Sequence, residues 1–406
     1  MGMFYQMSTL VNPPVLSNAT TLVQSCYENM FYGCTNLTTA PALPAATLAT
    51  RCYYNMFYGC SKLNYIECLA TNISATNCTT GWVNGVAATG TFVKSTSMNS
   101  WTTGVNGIPS GWAIQAYGYD KYLTIISTIN SNTIGWRATD SSITKTISIS
   151  TDNGTTWTNV ASTTATNGAT LATLNTGDKL LVKGSNKVYA NGSYYNCFTS
   201  TGNFNVEGNI MSLLYGDDFE NQTTLTTTTN TYIFSSLFRG CTKLGSAANF
   251  VLPATTLTKA TYCYERMFYG CTSLTTAPAL PATTLANYCY RNMFYGCTSL
   301  TTAPALPATT LTNSCYYYMF TNCSSLTTAP ALPATTLIAN CYAAMFRGCS
   351  SLNYIKAMFT TTPSSTYTQN WVQNVNSTGT FVKNSSATWS VTGVHGIPTG
   401  WTVQTA

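Results

Sequence analysis

The most constraining feature of this chain is a phrase that returns at a fixed interval. Aligned on Met-Phe, Cys263, Cys289, Cys315 and Cys341 follow one another every 26 residues, and Cys26 and Cys52 stand the same distance apart. The unit reads C-Y-x-x-M-F-x-x-C-x-x-L-T-T-A-P-A-L-P-A-T-T-L-x-x-x. A fixed period in the twenties predicts a solenoid, because one such unit cannot bury its apolar side alone and must stack on its neighbours. Within the unit, Tyr290, Met293 and Phe294 stand at helical spacing ahead of Gly296, which predicts a short helix closed by a left-handed glycine. A short strand is expected over Leu300–Leu306. Pro304 inside it cannot donate a ladder hydrogen bond and limits its pairing to two or three residues, and Pro307 turns the chain back. Leu300, Leu306, Leu311, Met293 and Phe294 are expected to point inward, each worth roughly 1.5–3 kcal/mol once stacked.

The Met-Phe-x-x-Cys-x-x-Leu phrase with its Leu-Pro-Ala turn resembles the BspA-like leucine-rich repeats of bacterial surface proteins, found in gut Bacteroides relatives and their phages. The resemblance covers residues 3–68 and about 232–356. The unit is longer than the family's usual repeat by a turn that carries the extra Cys-Tyr. The resemblance implies a surface-presented binding scaffold, and it implies a buried place for the cysteine at the turn into the strand, which Cys271, Cys297, Cys323 and Cys349 match.

Composition narrows the function. Charged residues make up 7% of the chain, against roughly 25% in an ordinary soluble protein. The polar side is carried by Thr, Ser, Asn and 27 tyrosines. The net charge of +6 comes from singly spaced residues with no Lys/Arg run to follow a phosphate backbone, so nucleic acid is not expected as a partner. No stretch of 18 apolar residues offers a membrane span, and the start, MGMFYQMSTLVNPP, lacks the basic, apolar and small-residue regions of an export signal.

A second duplication marks boundaries. Residues 82–115 recur as residues 371–404, each copy directly after a repeat array, with Trp-rich ends, a Gly-Thr-Phe-Val-Lys strand and a Gly-Ile-Pro turn. They suit caps over the open end of a solenoid. Between them, alternation in KTISIS and DKLLVKG around a hairpin signal at Asp152-Asn153-Gly154 predicts a small β-sandwich. The expected order is a first array (1–76), a cap module (77–116), the β-sandwich (117–209), a linker (210–231), a second array (232–356) and a second cap (357–406). The fold class is an α/β repeat, a leucine-rich-repeat-like solenoid of short strand plus short helix, in two arrays with an all-β sandwich between. Met3-Phe4 already occupies the Met-Phe position of a coil, so the N-terminal end is expected to be uncapped: either residue 1 is a truncation point, or this end docks on another subunit.

Chemistry-bearing residues are sparse. Cysteine pairs eight apart recur in six coils, from Cys26/Cys34 to Cys341/Cys349, which makes two columns rather than a converging metal site. Reduced packing residues are the expected state, with disulfides within a coil as the alternative. Histidine occurs once, at His395, where the first cap has Asn106, so no Ser-His-Asp or Cys-His mechanism is supported. Eleven carboxylates give one cluster, Asp217, Asp218 and Glu220, read as a solvated linker with a cation site or catalysis as alternatives. Asp152 is weighed as a calcium ligand and set below a plain hairpin residue.

Tyr27, Tyr53, Tyr264, Tyr290, Tyr316 and Tyr342 form a column that either packs between coils or faces a partner. Positions that differ from coil to coil are expected to be exposed: Tyr54, Glu265, Arg266, Arg291, Asn292, Tyr317, Tyr318, Ala343 and Ala344. Among them Tyr54, Arg266, Arg291, Tyr317 and Tyr318 are the ligand-binding candidates. The sequence thus points to a non-enzymatic adhesion or receptor-binding protein, with no catalytic residue, metal or cofactor, exposed on a virion or a bacterial surface. Its partner would be a cell-surface glycan or protein. The alternative is a structural component of a phage particle or filament, joined to other virion subunits or to its own copies through the uncapped N-terminal coil.

Overall fold

The computed structural model describes residues 2–16, 19–95, 98, 101–116, 122–137, 145–189, 197–220, 222–225 and 231–406. The chain divides into two compact units, Met1–Asp120 with Asp152–Trp157, and Lys121–Thr151 with Thr158–Ala406.

In the first unit, repeat coils stack from residue 2 onward. The segment expected to be helical is instead a run of tight turns. Tyr27, Asn29, Phe31 and Gly33 donate their backbone N–H to Cys52, Tyr54, Met56 and Tyr58 of the next coil. Cys26, Glu28, Met30 and Tyr32 bond back three residues, to Val23, Ser25, Tyr27 and Asn29. The backbone alternates between closing its own turn and reaching the neighbouring coil, so every amide is used without an α-helix. Every fourth residue pays for this with a left-handed φ, as at Ser25 (56°), Asn29 (56°) and Gly33 (71°). The expected Leu-Pro strand shrinks to isolated parallel bridges, such as Thr39↔Tyr65 and Leu43↔Cys68.

The array runs into its cap without a break. Strand β1 (Tyr65–Cys68), at the end of the last repeat, pairs in parallel with β2 (Thr91–Lys94), which pairs in parallel with β3 (Ala113–Ala116). Trp82 takes the place of Met56 in the ladder, since Phe57 donates to its carbonyl at 2.8 Å. Its ring stacks at 5.9 Å on Tyr53 and at 5.5 Å on Trp101, and its indole N–H bonds the Gly107 carbonyl at 2.9 Å. The cap is therefore a coil whose larger aromatic covers the end of the apolar columns. In the Asp152–Trp157 hairpin tip, the Asp152 carboxylate accepts from the backbone N–H and the hydroxyl of Thr156, a turn-closing role.

The second unit begins with strands β4 (Leu123–Ser127), β5 (Asn132–Trp136), β6 (Thr146–Ser150), β7 (Thr158–Ala161), β8 (Ala169–Leu174), β9 (Lys179–Gly184), β10 (Phe198–Ser200) and β11 (Phe204–Asn209), followed by the short helix α1 (Ser212–Tyr215) and β12 (Leu244–Val251). They form a three-stranded sheet, β10-β5-β8, and a six-stranded sheet, β12-β11-β4-β9-β6-β7. Strand β12 belongs to the repeat array and pairs in parallel with β11, so one sheet runs from the strand-rich region into the solenoid. Residues 210–231, expected as a linker, contain buried Met211, Leu213, Phe219 and Leu225, and the Ser212 hydroxyl bonds the Val182 carbonyl.

The array over residues 232–356 repeats the same construction. Leu300, Leu306, Leu311, Met293 and Phe294 are all buried, as their periodicity requires. Phe238, Phe268, Phe294, Phe320 and Phe346 stack in register at 5.5–5.9 Å. The second cap follows with β13 (Tyr354–Ala357), the short helix α2 (Ser365–Thr368), β14 (Thr380–Lys383) and β15 (Thr402–Thr405), again parallel. Trp371 closes the columns here, and its indole bonds the Gly396 carbonyl at 2.8 Å. Asn106 and His395 turn out to do the same job. The Asn106 Oδ1 accepts from the Gly81 N–H at 2.7 Å, and the His395 Nδ1 accepts from the Asn370 N–H at 3.0 Å.

Candidate binding surface

The turn runs that replace the expected helices form one face of each array, and the variable positions lie on them. In the second array four columns cross this strip. Tyr232, Tyr262, Tyr288, Ser314 and Asn340 form the first, and Ser235, Glu265, Arg291, Tyr317 and Ala343 the second. Ser236, Arg266, Asn292, Tyr318 and Ala344 make the third, and Arg239, Tyr269, Tyr295, Thr321 and Arg347 the fourth.

Four of the five candidates meet there. The Arg291 guanidinium sits 5.8 Å from the Tyr288 ring and 5.6 Å from the Tyr317 ring, and Tyr317 meets Tyr318 edge-on at 4.4 Å. Arg266 and Arg291 approach the same oxygen of Glu265, at 3.0 and 3.5 Å. The fifth candidate, Tyr54, lies in the first unit. Its ring carries the Arg51 guanidinium at 4.1 Å, and Arg51 makes a two-point pair with Glu28, whose carboxyl that contact holds below its usual range.

The nine positions expected to be exposed are not: Glu265, Asn292, Ala343 and Ala344 are buried, and Tyr54, Arg266, Arg291, Tyr317 and Tyr318 are half-buried. Glu265 is covered by the two arginines it pairs with, and only 1% of it remains accessible. Burial pushes its carboxyl above the usual range, while Arg266 and then Arg291 pull it back. The contacts are ionic rather than directed, since Oε1 has no hydrogen-bond partner. The Ala343 and Ala344 side chains are too short to clear the turns around them.

The column at Tyr53, Tyr264, Tyr290, Tyr316 and Tyr342 is buried, with Tyr27 only partly covered. In the second array its rings stack at 5.6–5.9 Å, and burial pushes the phenols well above their ordinary range. The half-buried aromatics that reach the surface are other tyrosines. Tyr232, Tyr262 and Tyr288 stack at 4.6 Å per step, Tyr269 and Tyr295 at 4.6 Å, and in the first unit Tyr5, Tyr32 and Tyr58 at 4.9 and 4.8 Å. Tyr32, Tyr58, Tyr269 and Tyr295 all follow Met-Phe directly, a regularity visible in the sequence.

The strip residues also sit on costly backbone. Tyr262 (57°), Arg266 (54°), Tyr288 (59°) and Tyr318 (57°) occupy the left-handed positions that asparagine fills at Asn29, Asn55, Asn292 and Asn340. That conformation costs a side-chain-bearing residue roughly 1–2 kcal/mol.

All sixteen cysteines are free thiols, and only Cys26 is exposed. Cys34, Cys60, Cys271, Cys297, Cys323 and Cys349 each donate to a phenylalanine carbonyl of the preceding coil at 3.0–3.1 Å. Burial pushes Cys60 and Cys349 up to about 12. Asp217 is held by Lys183 at 2.7 and 3.0 Å and by the Tyr122 hydroxyl at 2.7 Å. Asp120 and Asp140 lie outside the described residues. Among the described residues no group of three or more His, Cys, Asp or Glu is placed to hold a metal, and no helix is long and apolar enough to cross a membrane.

The family model of the BspA type leucine rich repeat region matches six copies, over residues 3–79, 211–353 and 265–386, more than half of the chain. The chain belongs to the BspA type leucine-rich-repeat family. In its coils cysteine supplies the buried donor at the turn into the strand, and the segment from the Cys-Tyr pair to the glycine is a chain of turns. No curated protein and no solved structure matches the chain.

Proposed function

We propose that this BspA-type protein is a non-enzymatic binding or adhesion scaffold, carried on a virion or a bacterial surface, and that the turn strip of its second array is the contact face. One observation carries the reading. Arg266, Arg291, Tyr317 and Tyr318, chosen as variable positions in an otherwise uniform repeat, lie together beside Tyr288 on one strip. Three of these five side chains, Arg266, Tyr288 and Tyr318, stand at left-handed positions that the turn run imposes on every fourth residue and that asparagine or glycine would hold more easily. Phenol edges with hydroxyl tips offer contact area and hydrogen bonds at low entropic cost, which suits a surface glycan or protein. The residues that catalysis would need are engaged elsewhere: Asp217 with Lys183 and Tyr122, the His395 Nδ1 with a backbone amide, and fifteen thiols in the core. We read the strands of residues 117–209 as a β-sandwich.

The test is binding of the full chain to arrays of host-surface glycans and envelope proteins. Tyr317→Ala with Tyr318→Ala should cut binding at least tenfold, or about 1.4 kcal/mol, without shifting the melting temperature. Unchanged binding would refute the strip as the contact face.

A second reading has its own support. The first coil leaves Met3 largely exposed, at 79%, where the equivalent Met30 and Met56 of the next coils are buried. This face suits an assembly joint in a particle or filament. Concentration-dependent, end-on oligomers of the purified chain that Met3→Asp abolishes would support it, and a monomer at all concentrations would refute it.

A further inference from the structure

We infer that the ligand of this strip is an acidic polysaccharide, bound by Arg239, Arg266, Arg291 and Arg347 together with the hydroxyl edges of the tyrosine ladders; the inference rests on the strip being the contact face. The charge distribution is the first ground. Residues 232–356 hold seven of the seventeen basic residues and one of the eleven acidic ones, so a net charge equal to the whole chain's +6 resides in this array. Its single carboxylate, Glu265, is 1% exposed and already shared between two arginines. The surface of the array therefore offers cations and hydroxyls and no competing carboxylate.

Spacing is the second ground. The four arginines fall on coils one, two, three and five of the strip. At roughly 4.8 Å per coil, the spacing of neighbouring strands, they span about 19 Å along the array. That length exceeds one acid group and suits a chain that carries an acid on successive sugars. Planar guanidinium groups bond carboxylates and sulfates at two points, which fixes such a chain in register.

The ring faces decide between kinds of polyanion. Tyr262 is sandwiched by Tyr232 and Tyr288, Tyr269 lies between the Arg239 guanidinium and Tyr295, and Tyr295 is flanked by Tyr269 and Tyr318. Bases of single-stranded nucleic acid bind by stacking on free aromatic faces. These rings present edges and hydroxyls instead, which pair with the hydroxyl groups of sugars. The strip thus combines an electrostatic track with hydrogen-bonding edges, and the faces of its Tyr262, Tyr269 and Tyr295 rings are already taken.

The experiment measures retention of the full chain on immobilised polygalacturonate, neutral dextran and single-stranded DNA across a salt series. Binding to polygalacturonate should exceed binding to dextran at least tenfold and fall more than tenfold between about 50 mM and 0.5 M NaCl, as the screening length shortens from roughly 14 Å to 4 Å. The paired variant Arg239→Gln with Arg347→Gln, which leaves the Glu265 contacts intact, should weaken it at least tenfold with an unchanged melting temperature, and Arg291→Gln should weaken it as much while also lowering the melting temperature, because it removes a partner of Glu265. Equal retention on dextran, equal or tighter retention on DNA, or indifference to both sets of arginine variants would overturn the inference. Retention on dextran that depends on Tyr317 and Tyr318 but not on arginine would overturn it while leaving the strip as the contact face. Polygalacturonate binding that no strip variant weakens would overturn both.

Discussion

Removing Arg266 exposes how the strip is held together. Glu265 is buried, and its two cations stand at 3.0 Å (Arg266) and 3.5 Å (Arg291). Stripping all partners from a buried ion costs about 3–5 kcal/mol. Because Arg291 remains, Arg266→Gln should lose roughly half of that, about 2 kcal/mol at pH 7. Glu265→Gln should cost less, since the amide needs no counter-charge, and the double variant should recover at least 1 kcal/mol relative to the sum of the singles. The pH dependence follows from the direction of the carboxyl's shift. Its folded pKa is raised by burial, so the folded state takes up a proton before the unfolded state does as pH falls. Stability relative to Glu265→Gln should therefore rise as pH drops from neutral towards the ordinary carboxylate range, and rise more steeply in Arg266→Gln. Urea denaturation at pH 7 and pH 5 measures both effects. An Arg266→Gln variant as stable as the parent at pH 7, or one that loses stability relative to Glu265→Gln on acidification, would refute the account of a buried carboxylate held by two arginines.

Other expectations concern the repeat itself. His395→Asn should leave the second cap within about 0.5 kcal/mol of the parent, because Asn106 makes the equivalent bond, whereas His395→Ala should cost about 1 kcal/mol, measured by chemical denaturation. Gly296 stands at φ 72° with space around it, and Asn322 fills the same place in the next coil at 61°. Gly296→Asn should thus be milder than Gly296→Val, by roughly 1 kcal/mol in the same assay. Alkylation of the native protein followed by peptide mapping should label Cys26 first and the other fifteen cysteines only after unfolding; early labelling of Cys297 would contradict the buried thiol column.

The sequence carried the period, the inward residues and the grouping of the candidate side chains, because each depends on spacing alone. It misled about the helix for a physical reason. A chain of turns that repeats every four residues buries Cys289, Tyr290, Met293, Phe294 and Cys297, the same spacing that a helix would bury. The discriminating signal was present in Asn292 and Gly296, four apart, as in Asn29 and Gly33 or Asn55 and Gly59. These are the residue types that tolerate a left-handed φ, and a helix would not want them at each turn. The caps hid their continuity with the arrays because Trp82 and Trp371 replace methionine in the ladder. Burial of Glu265 was not legible, since it depends on Arg291 arriving from the next coil.

Tyrosine footprinting of the full chain on its target surface tests the central claim most directly. The chain would be nitrated or iodinated free and bound, then mapped by mass spectrometry. Binding should protect Tyr288, Tyr295, Tyr317 and Tyr318 and leave Tyr32 and Tyr58 reactive, with Tyr264 and Tyr290 silent in both states. Protection confined to Tyr32 and Tyr58, or no protection of the second-array strip in a chain that is demonstrably bound, would contradict it.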